Sequence, residues 1–472
     1  MDKADIPFLS ATKLAALIGK REVSPVEATE AYLERIQRVD GKLNSYITVS
    51  GDHALQAAKA AENEIAAGRY RGPMHGIPYA VKDQFNTRGI LTTGGSSILS
   101  DFVPQDDATV IANLDRAGGI LLGKLNMSEF AMGTAVAHHY GVPHNPWDLG
   151  RNPGTSSSGS GAATAAFLCA TSLGEDTGGS IRGPGAFSGV VGLRPSFGRV
   201  SRHGMIGAVW SMDMAGPISR TVEDCAITLG AIAGHDPNDR YTWDAPVPDY
   251  LAALDGSVAG MKIGIVRERM DDDQMDGEVQ EAVVKAASTL GELGATVEDV
   301  SVSLAPHCGV IFNGIAYPEG ASVHRRNIRE RLGEYDHNIQ IRNLTGSILP
   351  ARAYYKAQKL RQVVRRQVLE ALEGVDLLLL PTSPILAPPI RTRAGVESKE
   401  HLMADLMGRN SWTTPFNLAG VPAISVPCGF STDPVLPIGL QLAGRPFDEA
   451  TVMKAAHAYQ QATDWHTRRP PV

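Results

Sequence analysis

The chain has 472 residues, 43% of them apolar and 20% charged, with a net charge of -7. That apolar share supports a large buried core, and the mild acidity argues against a nucleic-acid or anionic-membrane surface built on bulk charge. Cys169, Cys225, Cys308 and Cys428 lie far apart with no C-x-x-C pair, which points to reduced thiols in a cytoplasmic protein rather than a disulfide framework. The opening MDKADIPFLSATK lacks a positive region followed by an apolar run, so no signal peptide is expected. No window approaches eighteen apolar residues, so no membrane span is expected either.

In chain order, residues 10–70 read as helical. Ser24, Pro25 and Glu27 combine an N-cap, a proline in the first turn and a capping box. Ala28, Tyr32, Leu33 and Ile36 then recur at helical spacing, and a second amphipathic helix is expected over 54–67. At Gly76 the character changes. Gly76-Ile-Pro-Tyr-Ala-Val-Lys82-Asp83 is a short apolar run ending in a lysine, the pattern of a buried strand. Asp107 is expected to cap a helix reaching Arg116, Gly118 and Gly119 to stop it, and 120–125 to form the next strand.

From Gly154 to Pro195 the chain reads GTSSSGSGAATAAFLCATSLGEDTGGSIRGPGAFSGVVGLRP, with serine and glycine crowding both ends. The segment AATAAFLCA at 162–170 excludes a flexible linker, because small apolar residues at that density suit a helix packed close to other backbone. Further on, 198–217 reads as loop, 221–233 as helix and 236–248 as irregular. Strands are expected at 261–266 and 295–300, with a helix over 278–293 between them. A long basic helix follows at 351–373, then a central strand at 376–380 stopped by Pro381. Strands at 423–426 and 439–442 and a helix at 449–463 close the chain. Strands alternating with helices on both sides of the central stretch imply an α/β fold: one large, mostly parallel or mixed twisted sheet covered by helices on both faces. No clean boundary appears, so residues 1–472 are expected to form a single domain, with helices 1–70 packed on a core at about 71–200.

Metal chemistry has one candidate cluster, His138, His139 and His144, in a Gly/Pro loop without a supporting carboxylate, so no metal is expected. Phosphate binding fails as well, since Gly159-Ser-Gly161 meets Thr164 where a third glycine belongs. Nucleophilic catalysis fits better. No G-x-S-x-G elbow and no histidine motif is present, but Thr177-Gly178-Gly179-Ser180 places two glycines beside a hydroxyl. Such a turn can aim successive N–H groups at a developing oxyanion. The base would then be a lysine. A lysine accepts a proton only when neutral, so burial must lower its pKa from about 10.4. The apolar run 77–81 before Lys82 supplies that burial, provided that Asp83 faces away from the amine.

The chain resembles the amidase signature family of serine amidohydrolases. The resemblance rests on Gly76 to Asp83, on Gly123-Lys-Leu-Asn-Met-Ser-Glu-Phe130 and on Asn152-Pro-Gly-Thr-Ser156-Ser-Ser-Gly-Ser160. It continues through Asp176-Thr-Gly-Gly-Ser180-Ile-Arg182 and Gly189-Val-Val-Gly-Leu-Arg-Pro195, and through Pro415 to Ala423 and Gly439 to Leu442. It implies the family's fold, Ser180 as nucleophile, Ser156 as a serine held by a cis peptide bond, and Lys82 as general base. It further implies an oxyanion hole from the N–H groups of Thr177, Gly178, Gly179 and Ser180, with Asp176 and Arg182 supporting the site. No cofactor is implied. One departure is Gly154-Thr155 before Ser156, where the family more often has two glycines.

The expected activity is hydrolysis of a carboxamide in a small molecule through an acyl-enzyme, with esters and carbamates open to the same chemistry. The expected partners are that substrate alone, without nucleic acid or membrane, and a homodimer is the assembly to test. The alternative is a glutaminase subunit of a transfer-RNA-dependent amidotransferase, which would pass ammonia to a partner subunit; the basic helix 351–373 and Arg342, as a carboxylate holder, are compatible with it. Candidate pocket loops are 127–140, 198–210 and 311–317, where Met127, Phe130, Met132, Met205, Trp210, Phe312 and Tyr317 could line an apolar site.

Overall fold

The computed structural model describes residues 2–133, 138–270, 272–391, 395 and 412–472. Its strands in chain order are β1 (Tyr46–Val49), β2 (Pro78–Lys82), β3 (Ile120–Leu125), β4 (Thr171–Glu175), β5 (Val191–Arg194) and β6 (Ala215–Ser219). They continue as β7 (Lys262–Val266), β8 (Thr296–Val300), β9 (Leu377–Pro381), β10 (Ala423–Phe430) and β11 (Pro437–Ala443). All belong to one 11-stranded sheet in the order β1-β3-β2-β4-β6-β5-β10-β11-β9-β7-β8. Pairing is parallel at β2–β3, β2–β4, β7–β8 and β7–β9, and antiparallel elsewhere. The sheet is therefore mixed. Parallel neighbours arise where a helix carries the chain back across the sheet, whereas β10 and β11, joined by a short turn, can only run antiparallel.

Strand β9 shows why the sheet is covered on both faces. Leu377 and Leu379 belong to one apolar cluster and Leu378 and Leu380 to another, all at most 1% exposed. Side chains alternate across a strand, so four consecutive leucines feed two cores. Pro381 is the last residue of β9, paired with Leu440, rather than a stop beyond it; a terminal proline forfeits a single ladder donor.

The helices follow local signals where those signals are strong. In α1 (Ala11–Gly19) and α2 (Pro25–Leu43) the N-caps are Ser10 and Ser24, and Ser24 Oγ accepts the Glu27 N–H at 3.0 Å. Helix α3 (Gly51–Ala66) follows, but β1 lies between α2 and α3, so residues 10–70 are not continuously helical. Its Tyr46-Ile-Thr-Val49 pairs at the sheet edge with β3, a tertiary contact that local spacing does not show. Helix α4 (Thr109–Arg116) is preceded by Ala108, and Asp107 instead accepts the Arg88 N–H at 2.7 Å. Strand β6 begins within the expected loop 198–217 and runs on to Ser219; its Ala-Gly-Pro-Ile-Ser is a poor strand sequence that pairing with β4 and β5 enforces.

Helix α5 (Ser158–Ala165) is wholly buried. A Cβ on Gly159 would stand 2.5 Å from the backbone N and O of Asn126, so this helix approaches β3 more closely than any side chain permits. Next come α6 (Arg182–Ser188), α7 (Val222–Ile232) and α8 (Gly277–Glu292), then α9 (Cys308–Val323), α10 (Arg325–Arg331), α11 (His337–Ile348) and α12 (Ala351–Gly374). Helix α9 is not legible in the sequence because it is apolar on most sides and contains Pro318, which leaves no single stripe. Helix α12 buries Ala357, Val364, Val368 and Leu372, and its Arg361 and Arg365 turn inward to the carbonyls of Leu418 and Ala419 at the end of the helix Thr414–Ala419. The chain closes with the helix Glu449–Gln461. All four cysteines are free and buried. Among the described residues, no helix is long and apolar enough to cross a membrane.

Candidate active site

Lys82 closes β2, where the ladder sets Val81 opposite Lys124 and Lys82 opposite Leu125. Successive residues of a strand point to opposite faces, so the two buried lysines leave the sheet in opposite directions. Lys124 meets Asp83 at 3.4 Å and donates to Phe85 O and Thr92 Oγ1. Asp83 also accepts the Thr93 N–H at 2.8 Å, so it is committed on the face away from Lys82. On the other face Lys82 Nζ lies 2.7 Å from Ser156 Oγ and 3.1 Å from Glu175 Oε2, with both Lys82 and Glu175 at 0% exposure. Burial pulls the Lys82 ammonium down from its ordinary value, and the Glu175 charge is the main opposing influence. The Thr155–Ser156 peptide is cis, and the Ser156 carbonyl accepts the Ser128 N–H at 3.2 Å.

Ser180 sits in the turn between β4 and α6. Residues 171–179 are buried and Ser180 is the first to reach intermediate exposure. Asp176 organises this turn: it accepts N–H groups from Gly179 at 2.8 Å and Ile181 at 3.2 Å, and pairs with Arg182 Nε at 3.0 Å. Burial alone would raise the Asp176 carboxyl, but the guanidinium groups of Arg182 and Arg194 overcome it and hold the group far below the usual carboxylate range. Arg182 also donates to Thr413 O, Gln441 Oε1 and Asn417 Oδ1, tying the turn to the 412–417 segment and to β11.

The four N–H groups expected in the oxyanion hole do not stand alike in this turn. The Gly179 N–H is already taken by Asp176, whereas among the described residues no acceptor meets the N–H groups of Thr177, Gly178 and Ser180. Gly178 lies under the ring of Phe312 from α9, and a Cβ there would come within 2.7 Å of Phe312 Cζ. Gly178→Ala is therefore expected to push the turn off its geometry at a cost of about 1–3 kcal/mol. Catalytic efficiency should drop, with partial recovery in Gly178→Ala/Phe312→Leu; no recovery in steady-state kinetics would refute the packing argument.

Two acidic residues stand at the site without being candidates on sequence grounds. Glu175 is the first charged residue after an uncharged run, at the end of a buried strand, and that position is its only signal. Asp213 comes from the turn before β6 and has none. Thr177 Oγ1 joins them, 2.5 Å from Glu175 Oε1 and 2.7 Å from Asp213 Oδ1. Burial, then the Glu175 charge, push Asp213 up to about 7.

The candidate pocket residues divide. Met127, Phe130, Met132 and Phe312 are core, at most 5% exposed, and Trp210 is 45% exposed. Residues 134–137 of the loop 127–140 lie outside the described residues. The Arg342 guanidinium stands over the Tyr317 ring at 5.0 Å, and among the described residues its buried Nε meets no acceptor.

The amidase family model matches residues 27–453 of this chain. The glutamyl-tRNA(Gln) amidotransferase A-subunit of Moorella thermoacetica is 42% identical, over 99% of both chains. The solved structure of the corresponding A-subunit from Thermotoga maritima superposes with a TM-score of 0.81 at 32% identity, covering 97% of this chain and 95% of that one. A chain from a vestigial protein complex bearing on the origins of an s-triazine catabolic enzyme gives a TM-score of 0.89 at 33% identity, with 96% and 98% covered.

Proposed function

The chain belongs to the amidase family and is an enzyme of amide C–N bonds, and from that premise we propose that it is the glutamine-hydrolysing subunit of a transfer-RNA-dependent amidotransferase. The observation that carries this reading is the 42% identity to such a subunit over 99% of both chains. It overturns the expectation of a free-standing hydrolase of small amides. It also overturns the expected partner set: the relative is one subunit of an enzyme named for glutamyl-tRNA, so partner subunits and nucleic acid replace a lone small molecule or a homodimer. Net charge misleads here because one subunit can leave nucleic-acid binding to another chain. A cytoplasmic location goes with this role and with the four reduced thiols.

In the mechanism we propose, neutral Lys82 takes a proton from Ser156, which takes one from Ser180 as its oxygen attacks the glutamine side-chain carbonyl. The 2.7 Å Lys82–Ser156 contact supports the first link. N–H groups of Thr177, Gly178 and Ser180 receive the oxyanion, the relay returns a proton to the departing ammonia, and water cleaves the acyl-enzyme by the same route. We assign the substrate carboxylate to Arg342, a reading supported by a buried Nε that meets no acceptor among the described residues.

Ammonia release from L-glutamine tests the reading, measured for the chain alone and after co-expression with its partner subunits, with and without glutamyl-tRNA. Slow turnover alone and at least tenfold stimulation in the loaded complex are expected. Efficient hydrolysis of simple amides by the isolated chain, with no response to partners, would reject it.

A further inference from the structure

We propose that Glu175 and Asp213 hold one proton between them across the Thr177 hydroxyl, and that its position decides whether Lys82 is charged. The proposal rests on Lys82 acting as the base. A hydroxyl has a single hydrogen to give. Thr177 Oγ1 is nevertheless within hydrogen-bonding distance of two carboxyl oxygens, at 2.5 and 2.7 Å. Two ionised carboxylates would leave one of those contacts without a hydrogen, so one carboxyl must be protonated and donate to Thr177 while Thr177 donates to the other. Passing the Glu175 proton to Thr177 and the Thr177 proton to Asp213 reverses both bonds and moves the charge from Asp213 to Glu175, with no gain or loss of protons.

The two arrangements differ at Lys82. With the charge on Glu175, 3.1 Å away, the amine is held as ammonium. With the charge on Asp213, the near carboxyl is neutral and Lys82 can release its proton and act as base. Other charged groups around this chain are committed elsewhere. Asp176 is paired with Arg182 and Arg194, and the Asp83–Lys124 pair occupies the opposite face of β2. Arg194 from β5, Arg342 from α11 and Lys82 itself act on Asp213 at longer range; Arg194 is also felt by Glu175, and Asp176 by Lys82, in both arrangements. Asp213 Oδ2 accepts the N–H groups of Ala208 and Val209, each at 2.8 Å, so it can carry the charge when required. Glu175 and Asp213 are thus positioning residues that act through Lys82.

The test follows the rate at which a sulfonyl fluoride labels Ser180 as a function of pH, in the full-length wild type, Glu175→Gln and Asp213→Asn. Glu175→Gln leaves the charge on distant Asp213, so the acid limb should move down by about one pH unit or more. Asp213→Asn fixes the charge beside Lys82, so its limb should stay or move up. A downward shift in both variants means two ionised carboxylates and overturns the proposal. Infrared difference spectra of wild type minus either variant at neutral pH should contain a protonated-carboxyl C=O band; its absence also overturns the proposal, and either variant suffices if the other fails to fold. No labelling of wild type at any pH would instead defeat the assignment of Ser180 and Lys82, leaving the infrared band to judge the pair.

Discussion

Ser180→Ala is expected to lower glutamine hydrolysis by roughly four orders of magnitude or more and to abolish the covalent acyl-enzyme. The alanine keeps the turn, since among the described residues the Ser180 side chain makes none of the hydrogen bonds that hold it; those belong to Asp176 and Arg182. Removing Lys82 as well should add little, because in the proposed mechanism nucleophile and base act as one unit and the loss of either disables the same step. Single variants and the Lys82→Ala/Ser180→Ala double variant, compared by mass spectrometry of trapped acyl-enzyme and by steady-state rates, decide the matter. Multiplicative losses, or a Ser180→Ala enzyme that still acylates, would remove this serine from its proposed role.

Asp176→Ala should be the most destabilising substitution near the site, by about 3–5 kcal/mol. The carboxylate pairs with two guanidinium groups at 0% exposure, and without it Arg182 and Arg194 lose the buried anion they share. It also releases the N–H groups of Gly179 and Ile181, so the turn carrying Ser180 loosens and activity falls with stability. Because its folded pKa lies below the unfolded one, this stabilisation is complete above about pH 4 and fades as the pH drops further. Urea unfolding at pH 7 and at pH 3 measures both effects. A loss under about 1 kcal/mol at pH 7 would mean that the network does not hold the turn.

Much of the scaffold is readable without coordinates because its signals are local. Ser24 caps a helix through its own hydroxyl, and the Ile-Pro-Tyr-Ala-Val run before Lys82 is apolar enough to be a strand wherever it packs. The order of the glycine- and serine-rich pieces likewise carries the family, and with it the candidate residues Lys82, Ser156 and Ser180. Failures come where local preference is weak. Ala-Gly-Pro-Ile-Ser becomes a strand only between two neighbours, and Tyr46 to Val49 only beside β3.

By itself, then, the sequence determined which residues could do chemistry and roughly which elements would carry them, since both depend on residue type and short spacing. Tertiary structure alone decided what surrounds them. Strand alternation sends Asp83 to Lys124 and Lys82 to Ser156, and folding brings Glu175 and Asp213, 38 positions apart, onto one threonine hydroxyl. Protonation depends on distance, burial and neighbouring charge, and those exist only once distant parts of the chain have met.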